Sequence, residues 1–267
     1  MNTHDDLNDL IAQTIERIRP LEHADLTRLD RAAAPSAHQP PSEARIAAMS
    51  DPDLARYIDH TLLRVVAGRD AHAELCRTGI AMRCATVCVF PCWTAFCKSE
   101  LEGSGIRLAS VVGFPLGTST GSTKLNEAVE LIELGADELD MVANLALLRA
   151  EDDQAFFNDV FGVVRAAAAG GIAVKVILET PLLTREEIVR GCLLCLAAGA
   201  EFVKTCSGFQ GGGATVEDVR LMRRVVGNAM GVKASGGIRD AATARAMLAA
   251  GANRIGTSSA LAIVGQK

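Results

Sequence analysis

The feature that most narrows the fold is a punctuation mark repeated along the second half of the chain. Segments of helical length end in an apolar residue, glycine, then alanine: Leu134-Gly135-Ala136, Ala198-Gly199-Ala200 and Ala250-Gly251-Ala252. Glycine just past a helix adopts the left-handed conformation that satisfies the last carbonyls and turns the chain back. Short runs of strand length follow these turns. From Tyr57 onward the pattern predicts strands over 58–63, 84–90, 107–114, 138–144, 173–180, 202–208, 231–237 and 254–259. Helices are predicted between them, over 70–78, 123–134, 152–169, 184–198, 216–226 and 240–250. Eight strands alternating with helices argue for a closed (β/α)8 TIM barrel over an open doubly wound sheet. The open sheet would place a Gly-x-Gly-x-x-Gly turn after the first strand, where Thr61-Leu62-Leu63-Arg64 stands instead.

Residues 1–50 read as a separate N-terminal extension, and 51–267 as the barrel domain. Leu7, Leu10, Ile11, Ile15 and Ile18 fall at helical spacing, with Thr3 or Asp5 as N-cap and Pro20 as terminator. This helix is either a cap on the domain or a docking element for another subunit. A Pro/Ala linker over 32–42 follows, then a short helix over about 43–49 and a turn restarting at Asp51-Pro52.

A chain of 267 residues with 49% hydrophobic residues is long enough for one large barrel. The net charge of −5, without a basic run, speaks against nucleic acid or an anionic membrane as partner. No apolar stretch approaches the roughly 20 residues of a membrane span, and the acidic N-terminus lacks a signal core, so a cytoplasmic location is expected. Of the eight cysteines, Cys84 and Cys88 sit in a strand-like run, and Cys192 and Cys195 on the apolar face of a helix-like segment. That pattern is core packing, and no metal site is expected.

The chemistry concentrates on two strands. Phe202-Val203-Lys204-Thr205-Cys206-Ser207-Gly208 and Gly231-Val232-Lys233-Ala234-Ser235-Gly236-Gly237 are each apolar, interrupted by a lysine and closed by small residues. Alternation puts Lys204 on one face with Phe202 and Cys206, and Lys233 with Ser235. A single lysine of this kind reads as a structural ion pair or a side chain reaching out from an edge strand. Two in parallel contexts point to chemistry, because burial lowers an amine's pKa towards that of a usable nucleophile. The same alternation groups Glu138, Asp140, Val142 and Asn144 on the fourth strand, and Lys175, Ile177 and Glu179 on the fifth. The interior thus gains three lysines and two or three acids where a barrel ordinarily holds branched apolar side chains.

An anion grip is expected where the last two strands end. Gly236-Gly237 allows close backbone approach, and Gly256-Thr257-Ser258-Ser259 before the short helix-like tail 260–264 offers N–H groups and hydroxyls. A near-neutral lysine, a second cation, an acid and a phosphate grip suit Schiff-base chemistry on a phosphorylated sugar.

These residues carry a resemblance. Ile58-Asp59-His60-Thr61-Leu62-Leu63, Val111-Val112-Gly113-Phe114-Pro115-Leu116-Gly117, Glu138-Leu139-Asp140-Met141-Val142-Ala143-Asn144, Phe202-Val203-Lys204-Thr205, Val232-Lys233-Ala234-Ser235-Gly236-Gly237-Ile238-Arg239 and Gly256-Thr257-Ser258-Ser259 resemble the deoxyribose-phosphate aldolase family, in order, over 52–264. The resemblance implies a class I aldolase without metal or cofactor, converting 2-deoxy-D-ribose 5-phosphate to acetaldehyde and D-glyceraldehyde 3-phosphate, reversibly. It implies Lys204 as the Schiff-base lysine, Asp140 as proton donor and acceptor, and Lys233 as the cation that perturbs Lys204. It implies Gly208, Gly236, Gly237, Ser258 and Ser259 around the phosphate, small phosphosugar and aldehyde substrates as the partners, and a homo-oligomer. The chain departs from the family where Cys206 replaces a common serine, Phe90 a common asparagine and Ala260 a glycine, and its tail Gly265-Gln266-Lys267 has no aromatic. Two other readings stay open: a class I aldolase for a different aldehyde or deoxysugar phosphate, and a non-catalytic phosphosugar sensor.

Overall fold

A computed structural model describes residues 3–30 and 38–265. Three helices precede the barrel: α1 (Thr3–Ile18), α2 (Leu26–Asp30) and α3 (Glu43–Ala48). The side chains expected to cap α1, Thr3 and Asp5, and most of the Pro/Ala linker lie outside the described ones. Ser42 caps α3 by accepting from Arg45 N, and Pro52 opens a short 3-10 turn, Pro52–Tyr57, that delivers the chain to the first strand.

The barrel then runs β1 (Ile58–Leu62), α4 (Arg69–Met82), β2 (Thr86–Val89), α5 (Thr94–Glu100), β3 (Arg107–Val112), α6 (Gly121–Glu133) and β4 (Glu138–Val142). It continues through α7 (Leu145–Arg149), α8 (Asp153–Ala168), β5 (Ala173–Ile177), α9 (Arg185–Ala197) and β6 (Phe202–Lys204). The last elements are α10 (Val216–Val226), β7 (Gly231–Ser235), α11 (Ala241–Ala249), β8 (Arg254–Thr257) and α12 (Ala260–Ile263). All eight strands are parallel and close in sequence order, with β1 pairing β8. This is the (β/α)8 barrel that the alternation predicts. The three glycines of the repeated ending, Gly135, Gly199 and Gly251, all have positive φ (92°, 88° and 112°), as a left-handed helix exit requires.

Every strand is shorter at its C-terminal end than its apolar run. At β6 the difference is four residues. Thr205 still donates its N–H to the Lys233 carbonyl (3.0 Å), but Ser207 N turns to the Glu179 carboxylate (3.1 Å) and the chain leaves the sheet. The apolar and small residues that prolong these runs line the loops at the mouth, so composition alone overshoots there.

The extension packs on the outside of the barrel, with Arg17 paired to Glu151 and Asp153 at the start of α8, and reaches the N-terminal end through His38. Leu7 and Ile18 of α1 are buried against α9, as is Leu29 of α2, and Ile46 of α3 is buried against α11. Arg28 donates to the carbonyls of Gly199 and Ala200, both at 2.9 Å, and His38 meets Glu201 at 3.1 Å. The first helix thus caps its own barrel along α9. Seven of the eight cysteines are buried, Cys192 and Cys195 among the core residues of α9, in line with their reading as small apolar side chains. No helix among the described residues is long and apolar enough to cross a membrane.

Candidate active site

The barrel axis holds charge where apolar layers would be expected. Inward-facing positions on β1, β4, β5, β6, β7 and β8 bring together Asp59, Glu138, Asp140, Lys175, Lys204, Lys233 and Arg254, all buried. Asp140 is the hub. Its Oδ1 accepts from Lys175 Nζ at 2.6 Å, and its Oδ2 accepts from both Lys204 and Lys233 at 2.7 Å. Lys233 also donates to Asp59, and Lys175 lies 2.6 Å from Glu138 Oε2. Arg254 closes the set from the N-terminal side, reaching Asp59 at 2.5 Å and Glu138 at 2.9 Å.

Small residues make room for these long side chains. A Cβ on Gly256 would stand 3.0 Å from Lys233 Cε and 2.8 Å from Ser235 Cβ. A Cβ on Gly231 would fall 2.2 Å from the Phe202 ring that floors the barrel beside Arg254. Glycine inside β7 and β8 therefore acts as space within the barrel.

Electrostatics separates the three lysines. Burial opposes charge on Lys233, but Asp140 and Asp59 outweigh it and raise the pKa well above the ordinary lysine value. Lys175 goes the same way, burial being overcome by Asp140 and Glu138. In Lys204 burial prevails: Asp140 pulls the pKa up, Lys233 adds to the lowering, and the net lies below the ordinary value. Asp140 is held well below the carboxylate range because Lys175, Lys204 and Lys233 together overcome the cost of its burial. The amine that most readily becomes neutral is thus the one at the mouth.

Above Lys204 opens a cavity of about 680 Å³ at the C-terminal end of the strands. Lys204, Gly208, Gly236, Gly237, Ser258 and Ser259 all line it, so six of the eight predicted site residues share one surface. Asp140 lies beneath, bonded to the Lys204 amine, and Lys233 donates to the same carboxylate oxygen. Gly208, Gly236 and Gly237 have φ of 86°, 92° and 78°, and Gly213 lies so close that a Cβ on it would be 2.7 Å from the Gly236 carbonyl. The N–H of Ser259 donates to Thr257 Oγ1 at 2.9 Å, so that amide is already engaged within the loop.

Some sequence readings need correction. Asn144 leaves the strand face to cap α7, accepting from Ala146 N at 3.2 Å, because β4 ends at Val142. Glu179 lies past β5 in the left-handed conformation, and its buried carboxylate anchors the β6 loop through Ser207 N. Phe90 turns edge-on to Phe114 (5.9 Å) and does not line the cavity. Cys206 is buried, with its carbonyl accepting from Ser235. Asp59 and Arg254 join the interior charges beyond those the sequence reading names, and the signal is alternation, which groups Asp59 with Thr61 and Arg254 with Gly256. Arg64 and Arg239, exposed at the rim, also line the cavity.

Fold and site together define the class, a (β/α)8 barrel with its charged cavity at the C-terminal mouth of the strands, where enzymes of this architecture carry their active sites. Residues 55–265 match the family model described as DeoC/LacD family aldolase, and the chain belongs to that family. It is 50% identical over 213 residues to the deoxyribose-phosphate aldolase of Shouchella clausii, covering 79% of this chain and 95% of that protein. It is 50% identical over 212 residues to that of Clostridium novyi, with the same coverage. Among solved structures, the tetrameric deoxyribose phosphate aldolase from Aeropyrum pernix superposes with a TM-score of 0.78 at 36% identity, over 84% of this chain and 97% of that one.

Proposed function

We propose that this chain is a Schiff-base aldolase that reversibly cleaves 2-deoxy-D-ribose 5-phosphate to acetaldehyde and D-glyceraldehyde 3-phosphate. The observation that carries the reading is the Lys204 amine, at the floor of the cavity, desolvated and 2.7 Å from Asp140 Oδ2. Its membership in an aldolase family and its identity to curated deoxyribose-phosphate aldolases support the substrate.

In this mechanism neutral Lys204 attacks the C1 aldehyde of the open-chain sugar, and loss of water gives an iminium. As the C3 hydroxyl loses its proton, the C2–C3 bond breaks and its electron pair moves into an enamine on C1 and C2. Glyceraldehyde 3-phosphate leaves with C3 as its aldehyde. The enamine takes a proton on C2, and water hydrolyses the iminium to acetaldehyde, returning the amine. Asp140 and Lys233, hydrogen-bonded to one another under Lys204, are the groups placed to carry these protons. Gly208, Gly236, Gly237, Ser258 and Ser259 hold the phosphate through backbone N–H groups and hydroxyls, with Arg64 and Arg239 adding positive charge at the rim. Residues 1–50 stand outside the catalytic unit, 51–267. A homo-oligomer in the cytoplasm completes the reading, its assembly to be read by light scattering.

The test is reduction with borohydride in the presence of acetaldehyde, followed by peptide mapping. The expected result is irreversible inactivation with a two-carbon adduct on Lys204. An adduct on a different lysine, or no adduct, overturns the assignment. A coupled assay with deoxyribose 5-phosphate separates this substrate from other deoxysugar phosphates, and a chelator should leave its rate unchanged.

A further inference from the structure

The interior charges form one connected body. From the mouth inwards, Lys204 and Lys233 share Asp140, Lys175 joins Asp140 to Glu138, and Arg254 joins Glu138 to Asp59, which returns to Lys233. Each link lies within hydrogen-bond reach, and every member is buried. The set contains four cations, Lys175, Lys204, Lys233 and Arg254, and three anions, Asp59, Glu138 and Asp140. With every group charged there is one positive charge too many in a medium that screens poorly. Neutral Lys204 makes the count balance.

We propose that Glu138 and Arg254, at the N-terminal end of the barrel axis and away from the cavity, are positioning residues that set whether Lys204 carries a proton. The inference rests on Lys204 as the imine-forming amine. Neither residue lines the substrate cavity. Glu138 is held by Lys175 (2.6 Å), by Arg254 (2.9 Å) and, from its half-exposed position on β3, by Arg107 (2.9 Å). Arg254 is fixed by its two carboxylates and by the Phe202 ring, 5.6 Å from the guanidinium carbon. Their charges reach Lys204 through Lys175, Asp59 and Asp140.

The groups facing Lys204 from the surrounding strands are few. Asp140 from β4, Lys233 from β7 and Cys88 from β2 act on it directly, and Glu138 from β4, Lys175 from β5, Asp59 from β1 and Arg254 from β8 join it through the linked carboxylates. Burial pushes the Cys88 thiol up to about 11, so it adds no charge near neutrality. Glu179 is tied to the loop beyond β6 through Ser207 N, and His60, whose pKa burial lowers to about 4, is neutral and bonded to Thr78. The count therefore depends on the seven linked groups, which titrate together and not one by one.

The sign of each substitution follows. Arg254→Met removes one cation, leaves three against three with Lys204 charged, and so lets Lys204 keep its proton. Glu138→Gln removes one anion while keeping shape and hydrogen bonds, and drives the proton off at lower pH. The double variant restores an excess of one. The experiment is the pH dependence of acetaldehyde imine trapping by borohydride, read as the fraction of Lys204 labelled in the full chain. The limb should move up by about one pH unit in Arg254→Met, down by a similar amount in Glu138→Gln, and return near the parent position in the double variant.

Arg254→Lys keeps the charge and changes the shape, so its limb should stay at the parent position. If Arg254→Met does not fold, the opposed expectations for Glu138→Gln and Arg254→Lys still decide the matter. Limbs that coincide in all variants, or that all move in one direction, overturn the proposal. No Lys204 adduct in the parent protein would sink the aldolase reading itself, a result distinct from parent trapping with unmoved limbs.

Discussion

Lys204 and Lys233 occupy paired positions on adjacent strands and donate to one and the same oxygen, Oδ2 of Asp140, each at 2.7 Å. The shared acceptor divides their fates. Lys233 has Asp59 as a second carboxylate and stays charged, while Lys204, among the described residues, has only Asp140 within bonding distance and opens onto the cavity. A permanent cation beside a convertible amine, across one carboxylate, is an arrangement in which a proton moves over a short distance.

Removing Lys233 should move Lys204 in a definite direction. Burial is the largest cause of the lowered Lys204 pKa, and Lys233 contributes in the same sense against Asp140. In Lys233→Leu the repulsion is gone and Asp140 is left to hold Lys204 more tightly, so both changes raise the Lys204 pKa. The rising limb of imine trapping should shift upwards by about one pH unit or more, with a large rate loss at pH 7 partly recovered in alkaline buffer. An unshifted limb would mean that burial alone tunes Lys204 and that Lys233 serves only the proton relay.

Asp140→Asn should do the opposite to the amine while crippling turnover. Asp140 raises the Lys204 pKa, so without its charge the trapping limb should move to lower pH. Turnover should nevertheless fall by roughly 10²- to 10⁴-fold, because the group placed to take and return protons is lost. The variant also leaves Lys175 and Lys233 short of an anion in the core, which costs about 3–5 kcal/mol and should lower Tm. Equal losses in trapping and turnover would count against Asp140 as a proton carrier.

The phosphate grip is separable from the chemistry. Gly236 has φ of 92°, and a Cβ there would meet Gly213 Cα at 3.1 Å, so Gly236→Ala must displace the backbone at the grip. Losing one charge-assisted hydrogen bond of about 1.5–3 kcal/mol predicts a roughly 10- to 100-fold fall in kcat/KM for deoxyribose 5-phosphate. Unphosphorylated deoxyribose should be affected little. Parallel losses with both sugars would show that Gly236 supports Lys204 and not the phosphate.

The barrel was legible because its signals are local: strand-length runs, glycine exits and the alternation that put Glu138, Asp140, Lys175, Lys204 and Lys233 inside. What alternation cannot supply is height along the axis, and height decides that Asp140 touches three lysines while Glu138 meets Arg254. Lys124 shows the limit on the helix side. It sits near the start of α6 like a solvated lysine, yet it is wholly buried beneath Gly113 and bonded to Asp159 (2.7 Å) and the Val142 carbonyl (2.8 Å). Its partner lies 35 residues on, and only the closed barrel brings α8 there.

The N-terminal extension supplies the last prediction. It meets the barrel on α8, α9 and α11 and, through His38 and Glu201, at the N-terminal end, and none of its described residues lines the cavity or belongs to the seven interior charges. A chain beginning at Ser50 should therefore keep its turnover per site within about twofold, measured well below its melting point. Stability is another matter. Leu7, Ile18 and Leu29 are buried in the intact chain, and each such side chain contributes about 1.5–3 kcal/mol. Removing them also strips Arg28 from the carbonyls of Gly199 and Ala200, just ahead of β6. Tm should fall by roughly ten degrees or more. Leu7→Ala in the full chain should reproduce part of that loss without touching turnover. A shortened chain that is folded and assembled like the parent, yet fails to trap acetaldehyde at Lys204, would show that the extension reaches the active site after all.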